Sequence, residues 1–282
     1  MRIGVDSVRK PKKMTKIVAK ANFNTNNSNL FVLIGANRFS YFISTPEKQV
    51  IIQESQIIDN EPLTNVIKKH LSLNNDFSQV TVGFTSPYTT LVPNIIYKED
   101  IAASYLENSF RIPYQHYLLT DNLASLQCQN VYLAPIEIYN FFQKKYSTVQ
   151  FIHSTTSLLL AWQNQAVQFK EPSVYINVTG NQFQISAFNR EKLLLSNTYE
   201  FKTAKDFIYF ALLVFDQLDL DVGKTKLFLS GEMMKASEIY NLLYRYIRNI
   251  HFMERTTAFN FDVAFNGQAN HFHFDLYSFY TV

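Results

Sequence analysis

The 282-residue chain is 47% hydrophobic and 17% charged, which excludes a disordered chain and supplies a sizeable core. No apolar run approaches the roughly 18 residues of a membrane span, and the single cysteine, Cys128, excludes an internal disulfide or a multi-cysteine metal site. The net charge of +3 is uneven: seven of 26 basic residues but one of 23 acidic residues lie within 1–20, leaving the remainder at −3, a weak electrostatic footprint for nucleic acid.

The basic leader, residues 1–21, lacks the apolar stretch of a secretory signal. It is expected to be disordered and dispensable, with Met14 a second candidate initiator; the alternative is a phosphate- or membrane-binding arm. After a polar lead-in, strands are expected near 29–35, 38–45 and 48–57. Asp59, Asn60 and Pro62 mark a helix start before LTNVIKKHLSL, with proline where its missing N–H costs nothing. VTVGF (80–84) reads as a fourth strand. A helix near 98–110, strand-like segments near 115–134, a helix from Pro135 through Tyr146, the strand VQFIH (149–153) and the apolar helix STTSLLLAW (154–162) follow. Tyr88, Tyr105, Tyr114 and Tyr117 lie in the irregular region 85–120, where they suit an interface or a core.

The second half repeats this plan. Asn37, Phe39, Glu47 and Lys48 match Asn181, Phe183, Glu191 and Lys192 at one constant offset of 144 residues, with no gap. Strands are expected near 173–179, 182–189 and 192–201. A helix then runs from Thr203 to Leu218 with Thr203 and Asp206 as a capping pair, followed by the strand KLFLS (226–230) and a helix through Arg248. Two three-stranded meanders, each leading into helix, strand and helix, predict a mixed α/β fold of two similar halves about a cleft.

Several local patterns imitate functional motifs. Gly223-Lys224-Thr225 resembles the end of a phosphate-binding loop, but position 218 is Leu218 rather than glycine and the helix–strand order is reversed, so it reads as a turn. Asp216, Asp219 and Asp221 lack the turns of an oxygen cage and read as a solvated helix end. His271 and His273 flank Phe272 without the third ligand that zinc requires. Cys128 reads as a buried spectator thiol.

The stretch IHSTTSLLLAW, a spacer and VYINVTGNQFQISAF resembles the central region of the actin-like ATPases, including the large heat-shock chaperones. LFLSGEMMKASEIYNLL (227–243) is similar to the strand, glycine turn and helix that hold adenosine there. More narrowly, the order SNLFVLIGANRFSYFIS, VQFIHSTTSLLLAW and the second meander resembles an uncharacterised Bacteroidetes domain-of-unknown-function family with an actin-like fold. The likeness covers most of residues 22–280.

The resemblance implies a duplicated actin-like (ribonuclease-H-like) α/β fold, with a leader over 1–21 and lobes over 22–165 and 166–282. It places Leu33 and Asn177 where active members carry magnesium-holding aspartates, Gly35, Gly180, Asn181 and Gln182 on the phosphate hairpins, Gly231 in the adenosine turn and His153 at the catalytic glutamate. The glycine beside Gly231 is replaced by Ser230, and Glu232 follows it. These positions imply a vestigial cleft with no catalytic residue, no metal ligand and at most a degenerate ATP and magnesium site. The expected protein is a cytoplasmic pseudo-ATPase that binds an unidentified protein partner or itself, without nucleic acid. Two alternatives are a divergent nucleotide-dependent kinase or ATPase, and a structural module of an envelope or division assembly.

Overall fold

In the computed structural model, residues 14–20, 27–35, 37–58, 61–71 and 77–281 are described. They divide into two compact units. The first comprises Lys12–Ser157 and Thr257–Gly267, the second Leu158–Thr256 and Gln268–Thr281. The division therefore falls inside a helix rather than at residue 165, and a short return segment joins the first unit.

The first unit contains β1 (Met14–Val18), β2 (Asn29–Ile34), β3 (Arg38–Ser44), β4 (Gln49–Ile57), α1 (Leu63–His70), β5 (Gln79–Phe84), β6 (Thr89–Pro93), α2 (Ala102–Glu107), β7 (His116–Leu123), β8 (Cys128–Pro135), α3 (Ile136–Lys145) and β9 (Val149–His153). Helix α4 (Ser154–Ala166) carries the chain into the second unit, which holds β10 (Ser173–Thr179), β11 (Gln182–Asn189), β12 (Lys192–Glu200), α5 (Ala204–Gln217), β13 (Lys226–Gly231), α6 (Glu238–Tyr246) and β14 (Ile250–Phe252). The two-residue strand β15 (Asn260–Phe261) belongs to the first unit, and α7 (Phe274–Tyr277) to the second.

The two main sheets share a plan. Strand order is β1-β4-β3-β2-β5-β9 in one and β12-β11-β10-β13-β14 in the other. In each, a three-stranded antiparallel meander is extended by two parallel strands. Register repeats too, for Leu33 pairs with Ser40 and Asn177 with Gln184. Both meanders slip register at the same place, between Ile43 and Ser44 and between Ala187 and Phe188. Phe39 and Phe183, second residues of β3 and β11, are both fully buried.

Continuous apolar runs in β2 and β10 reflect burial on both faces. One core packs Val32, Phe39 and Val82 with Ile67 of α1 and Phe142 of α3. The other packs Ile176, Phe183 and Leu229 with Phe207 and Val214 of α5 and Leu243 of α6. The capping box expected for α5 is present: Thr203 Oγ1 accepts from Asp206 N–H at 3.1 Å, and Asp206 Oδ2 accepts from Thr203 N–H at 2.9 Å. Strands β6, β8 and β7 form a separate three-stranded sheet in region 85–135, with α2 packed on Val92, Val131 and Leu133. Strand β6 was not expected. Pro93 masks it in sequence, and proline is tolerated there because β6 lies at an edge. The helix expected near 98–110 is a 3-10 turn, Glu99–Ile101, followed by the short α2. No helix among the described residues is long and apolar enough to cross a membrane.

The expected disordered leader needs correction. Residues 1–13, along with Asp59 and Asn60, lie outside the described residues. Met14–Val18, however, is a strand paired antiparallel to β4, and Ala19 is buried. Lys16 Nζ lies 3.0 Å from Glu54 Oε2, whose side chain is 1% exposed. Tyr41 Oη donates to the same oxygen at 2.9 Å, Gln56 Nε2 donates to Oε1 at 2.8 Å, and His70 Nδ1 lies 2.9 Å from Oε1. Burial raises the Glu54 carboxyl, but the bonds from Gln56, Lys16 and Tyr41 outweigh it and hold the pKa below the ordinary carboxylate range. Short and preceded by a run of basic residues, β1 reads as leader only because its partner lies about forty residues onward in sequence.

A chain beginning at Lys20 loses β1 and strips a cation from a buried carboxylate. It is expected to melt about 5–10 °C below full length, as a loss of about 2–3 kcal/mol implies. Melting within a degree or two would restore the leader reading.

Candidate functional site

The parallel strand pairs end in turns whose chemistry differs between the units. In the second unit, β10 and β13 set Asn177 beside Ser230 and Val178 beside Gly231. Asn177 is buried. Its Oδ1 accepts from Ser230 Oγ at 2.9 Å, and its Nδ2 donates to Thr179 Oγ1 at 3.3 Å, so both ends of the amide are engaged. Gly231 adopts φ +76°, and a Cβ there would collide with the Val178 carbonyl oxygen and stand 2.8 Å from the Val178 nitrogen. Only glycine permits this approach. Across it, Glu232 N–H donates to Val178 O at 2.8 Å, while Gly231 N–H donates to His271 O at 2.9 Å.

Glu232 is thereby aimed at the hairpin turn between β10 and β11. Its Oε2 accepts from the N–H of Gly180 at 3.1 Å, where Gly180 holds φ +61°. Asn181 is exposed beside it and accepts from Phe201 N–H at 2.9 Å through its carbonyl. Gln182 Nε2 donates to Glu200 Oε1 at 2.9 Å. The Gly180 N–H, the Asn181 carbonyl and the Gln182 side-chain amide of this turn are thus each engaged by a partner from the same unit.

In the first unit, Leu33 is buried between Ser40 and Gly83 on neighbouring strands. Gly35 follows, its N–H donating to Arg38 O at 2.9 Å, and a Cβ there would stand 2.7 Å from Thr85 Oγ1. His153 ends β9 and is 2% exposed. Its Nδ1 accepts from Thr155 N–H at 3.1 Å, which leaves the proton on Nε2, donating to Ser86 O at 3.0 Å. The backbone N–H of His153 donates to Asp121 Oδ2 at 2.8 Å. Asp121, from β7, also accepts from Thr156 Oγ1 at 2.7 Å and from Tyr132 Oη at 3.1 Å. Asn130 Nδ2 donates to Thr156 Oγ1 at 3.0 Å, and Thr89 Oγ1 donates to Asn130 Oδ1 at 2.6 Å.

Burial dominates the electrostatics of this cluster. It pushes the Asp121 carboxyl up to about 6, against hydrogen bonds from His153, Thr156 and Tyr132 that pull the other way. It pushes His153 down to about 4, against the bond to Ser86. The Tyr132 hydroxyl is raised by burial and by the adjacent Asp121 carboxylate. His153 is consequently a neutral ring with both nitrogens engaged, placed to brace β9 against Ser86 rather than to exchange protons.

A hydrated divalent cation needs carboxylate or carbonyl oxygens at the strand ends, and a triphosphate needs free N–H donors. Leu33 supplies no oxygen, the oxygen of Asn177 is neutral and already bonded, and Gly180 N–H faces a carboxylate that repels phosphate. The residues present do not fit magnesium or a nucleotide triphosphate at the positions named by the resemblance.

The sequence matches the family described as "Protein of unknown function (DUF3822)" over residues 19–250. The chain belongs to that family. Among solved structures, a Bacteroides thetaiotaomicron protein with an actin-like ATPase fold and unknown function superposes with a TM-score of 0.78 at 19% identity, covering 92% of this chain and 97% of that one. A chain of the PilM–PilN type IV pilus biogenesis complex gives 0.60 at 14% identity, covering 92% of this chain and 99% of that one. No curated protein shows a significant match. The family member described here has the actin-like ATPase fold, as its two meander-based sheets lead one to expect.

The remaining motifs resolve into local structure. Asp221 Oδ1 accepts from Gly223 N–H at 2.8 Å and Asp221 O from Thr225 N–H at 2.8 Å, so Gly223-Lys224-Thr225 is a turn. His271 Nε2 lies 2.7 Å from Met233 O, and His273, at φ +55°, precedes α7. Cys128 is buried, which pushes its thiol up to about 11. Sequence reasoning missed Asp121 altogether and recorded Glu232 only as the residue that follows Gly231. The alternation in HYLLTDNL places Asp121 on the face of β7 shared by Leu119 and Leu123, a weak signal that no motif reinforced.

Asp121 and His153 couple oppositely to pH. Asp121, raised above an unfolded value of about 3.9, contributes stability that is complete below that value and is lost as pH rises through about 6. His153, depressed below about 6.5, contributes stability that is lost as pH falls toward about 4. In Asp121→Asn only the first dependence disappears. Relative to wild type, the variant is expected to be less stable at pH 4 than at pH 7 by about 2–3 kcal/mol, measured by denaturant unfolding. A difference that does not vary with pH contradicts a raised Asp121.

Proposed function

We propose that this protein is a non-catalytic member of the actin-like fold, a pseudo-ATPase whose role is to bind protein in a cytoplasmic assembly. The observation carrying the reading is the bond from Gly180 N–H to the Glu232 carboxylate: a backbone donor placed for phosphate is engaged by an anion of the chain itself. Leu33 and Asn177 support it, because neither can replace the negative charges that hold magnesium. Phosphoryl transfer is chiefly electrostatic positioning of metal and phosphate, so losing both sets of groups removes the basis of catalysis. A protein-binding role is supported by the neighbour with a TM-score of 0.60, which belongs to a biogenesis complex with a second protein.

Calorimetry with ATP and magnesium tests this reading. The expected result is binding weaker than about millimolar and unaffected by magnesium. Leu33→Asp combined with Asn177→Asp is expected to remain inactive, because Glu232 and Asn181 still crowd the turn. Micromolar affinity, or phosphate release by wild type that disappears in Asn177→Ala, would overturn the proposal in favour of a nucleotide-dependent enzyme.

A further inference from the structure

Helices α1 and α3 lie side by side on the first unit's main sheet, with Val66, Ile67, Ile138 and Phe142 in the core beneath them. Thr64 Oγ1 donates to Glu137 Oε1 at 2.9 Å, and the Lys68 ammonium stands 5.9 Å from the centre of the Phe141 ring. Both contacts join residues 73 apart in sequence, so the helices run parallel and in step. Each leads back to the start of a parallel strand, α1 to β5 at Gln79 and α3 to β9 at Val149. Their last turns therefore lie at the opposite end of the sheet from Leu33, Gly35 and His153.

Those last turns carry Lys68 and Lys69 on α1 and Lys144 and Lys145 on α3, all four exposed. The one acid on either helix, Glu137, sits in the first turn of α3, at the far end. Among the described residues none of the four lysines makes an ion pair. Helix carboxyl ends carry about −0.5 of a charge each, so two of them offset one lysine and leave an excess of about +3. Strand β1 opens at the same corner. Met14 pairs with Gln56, whose Nε2 is 3.3 Å from Nδ1 of His70, the last residue of α1. The sequence before Met14 contains Arg9, Lys10, Lys12 and Lys13, and so adds charge of the same sign.

We propose that this face docks on a bilayer surface rich in anionic phospholipid, with Lys68, Lys69, Lys144 and Lys145 among the headgroups. Unneutralised lysines on two helix ends that finish in step suit a plane of negative charge, which demands no directional geometry. The attraction fades within a Debye length, so it needs cations presented together at one end of the molecule, as these are. Nucleic acid fits the same face less well. Bases need open ring faces on which to stack, and the rings nearest the lysines pack on one another: Phe141 on Phe142, and Tyr146 on Phe142 and Phe77. Beyond residue 20 the chain is net acidic, which gives a duplex no continuous basic track past these two helix ends. The inference does not depend on whether the strand-end turns bind nucleotide.

Co-sedimentation of the full chain with vesicles tests this, using phosphatidylcholine alone and phosphatidylcholine mixed in equal parts with phosphatidylglycerol. Wild type is expected to sediment with the mixed vesicles only, and progressively less as salt is added. Lys68→Gln, Lys69→Gln, Lys144→Gln and Lys145→Gln together should weaken binding about tenfold or more. The milder pair Lys69→Gln with Lys145→Gln, both exposed, should fall between. Lys205→Gln with Lys235→Gln, exposed cations of the second unit, should bind as wild type does. Circular dichroism verifies that each variant is folded. A wild type that does not sediment with the mixed vesicles, or that binds neutral vesicles equally, overturns the proposal. An equal loss in the Lys205 and Lys235 pair overturns it as well. So does a fourfold variant that binds like wild type, which would assign the binding to the segment before Met14. Duplex DNA bound more tightly than the mixed vesicles would assign the face to nucleic acid and overturn it too.

Discussion

The contact between Gly231 and the backbone of Val178 governs the end of the second unit. Two parallel strands normally keep their side chains' distance, yet here the turn after β13 folds directly onto the end of β10. Three consequences follow from that one approach. Glu232 N–H can reach Val178 O, Gly231 N–H can reach His271 O, and the Glu232 carboxylate is delivered to the Gly180 turn. In this family member that backbone geometry is closed by the chain's own groups, and the buried Asn177–Ser230 bond joins the strands beneath it.

The first unit closes its strand ends by different means. Its strand ends carry Leu33 and Gly35 without a capping carboxylate, and its polar density lies instead around Asp121, His153, Thr156 and Tyr132. That cluster ties the small β6-β8-β7 sheet to the end of β9 and the start of α4. A half-buried carboxylate with three donors is costly to assemble but specific, since each missing donor would leave a charge poorly satisfied. Its function is therefore best read as fixing the extra sheet to the framework.

Legibility in the sequence followed the length of each pattern. The meanders were readable because alternating and continuous apolar runs bounded by polar turns have few competing interpretations, and α5 because Thr203 and Asp206 form a local cap. The candidate positions Leu33, Asn177, Gly180 and Gly231 were placed by an ordered resemblance, and their departures from aspartate and glycine were visible directly. What stayed hidden was non-local. Strand β1 is defined by a partner across the leader boundary, Asp121 by donors from β8, β9 and α4, and the role of Glu232 by a turn fifty-two residues away in sequence. No periodicity encodes such pairings.

The central claim is that the Gly180 amide is already held by an internal carboxylate. Proton–nitrogen NMR of that amide in wild type and in Glu232→Ala tests it most directly. The account predicts a downfield Gly180 amide proton in wild type that moves upfield in the variant. A Gly180 resonance indifferent to the Glu232 substitution would contradict it.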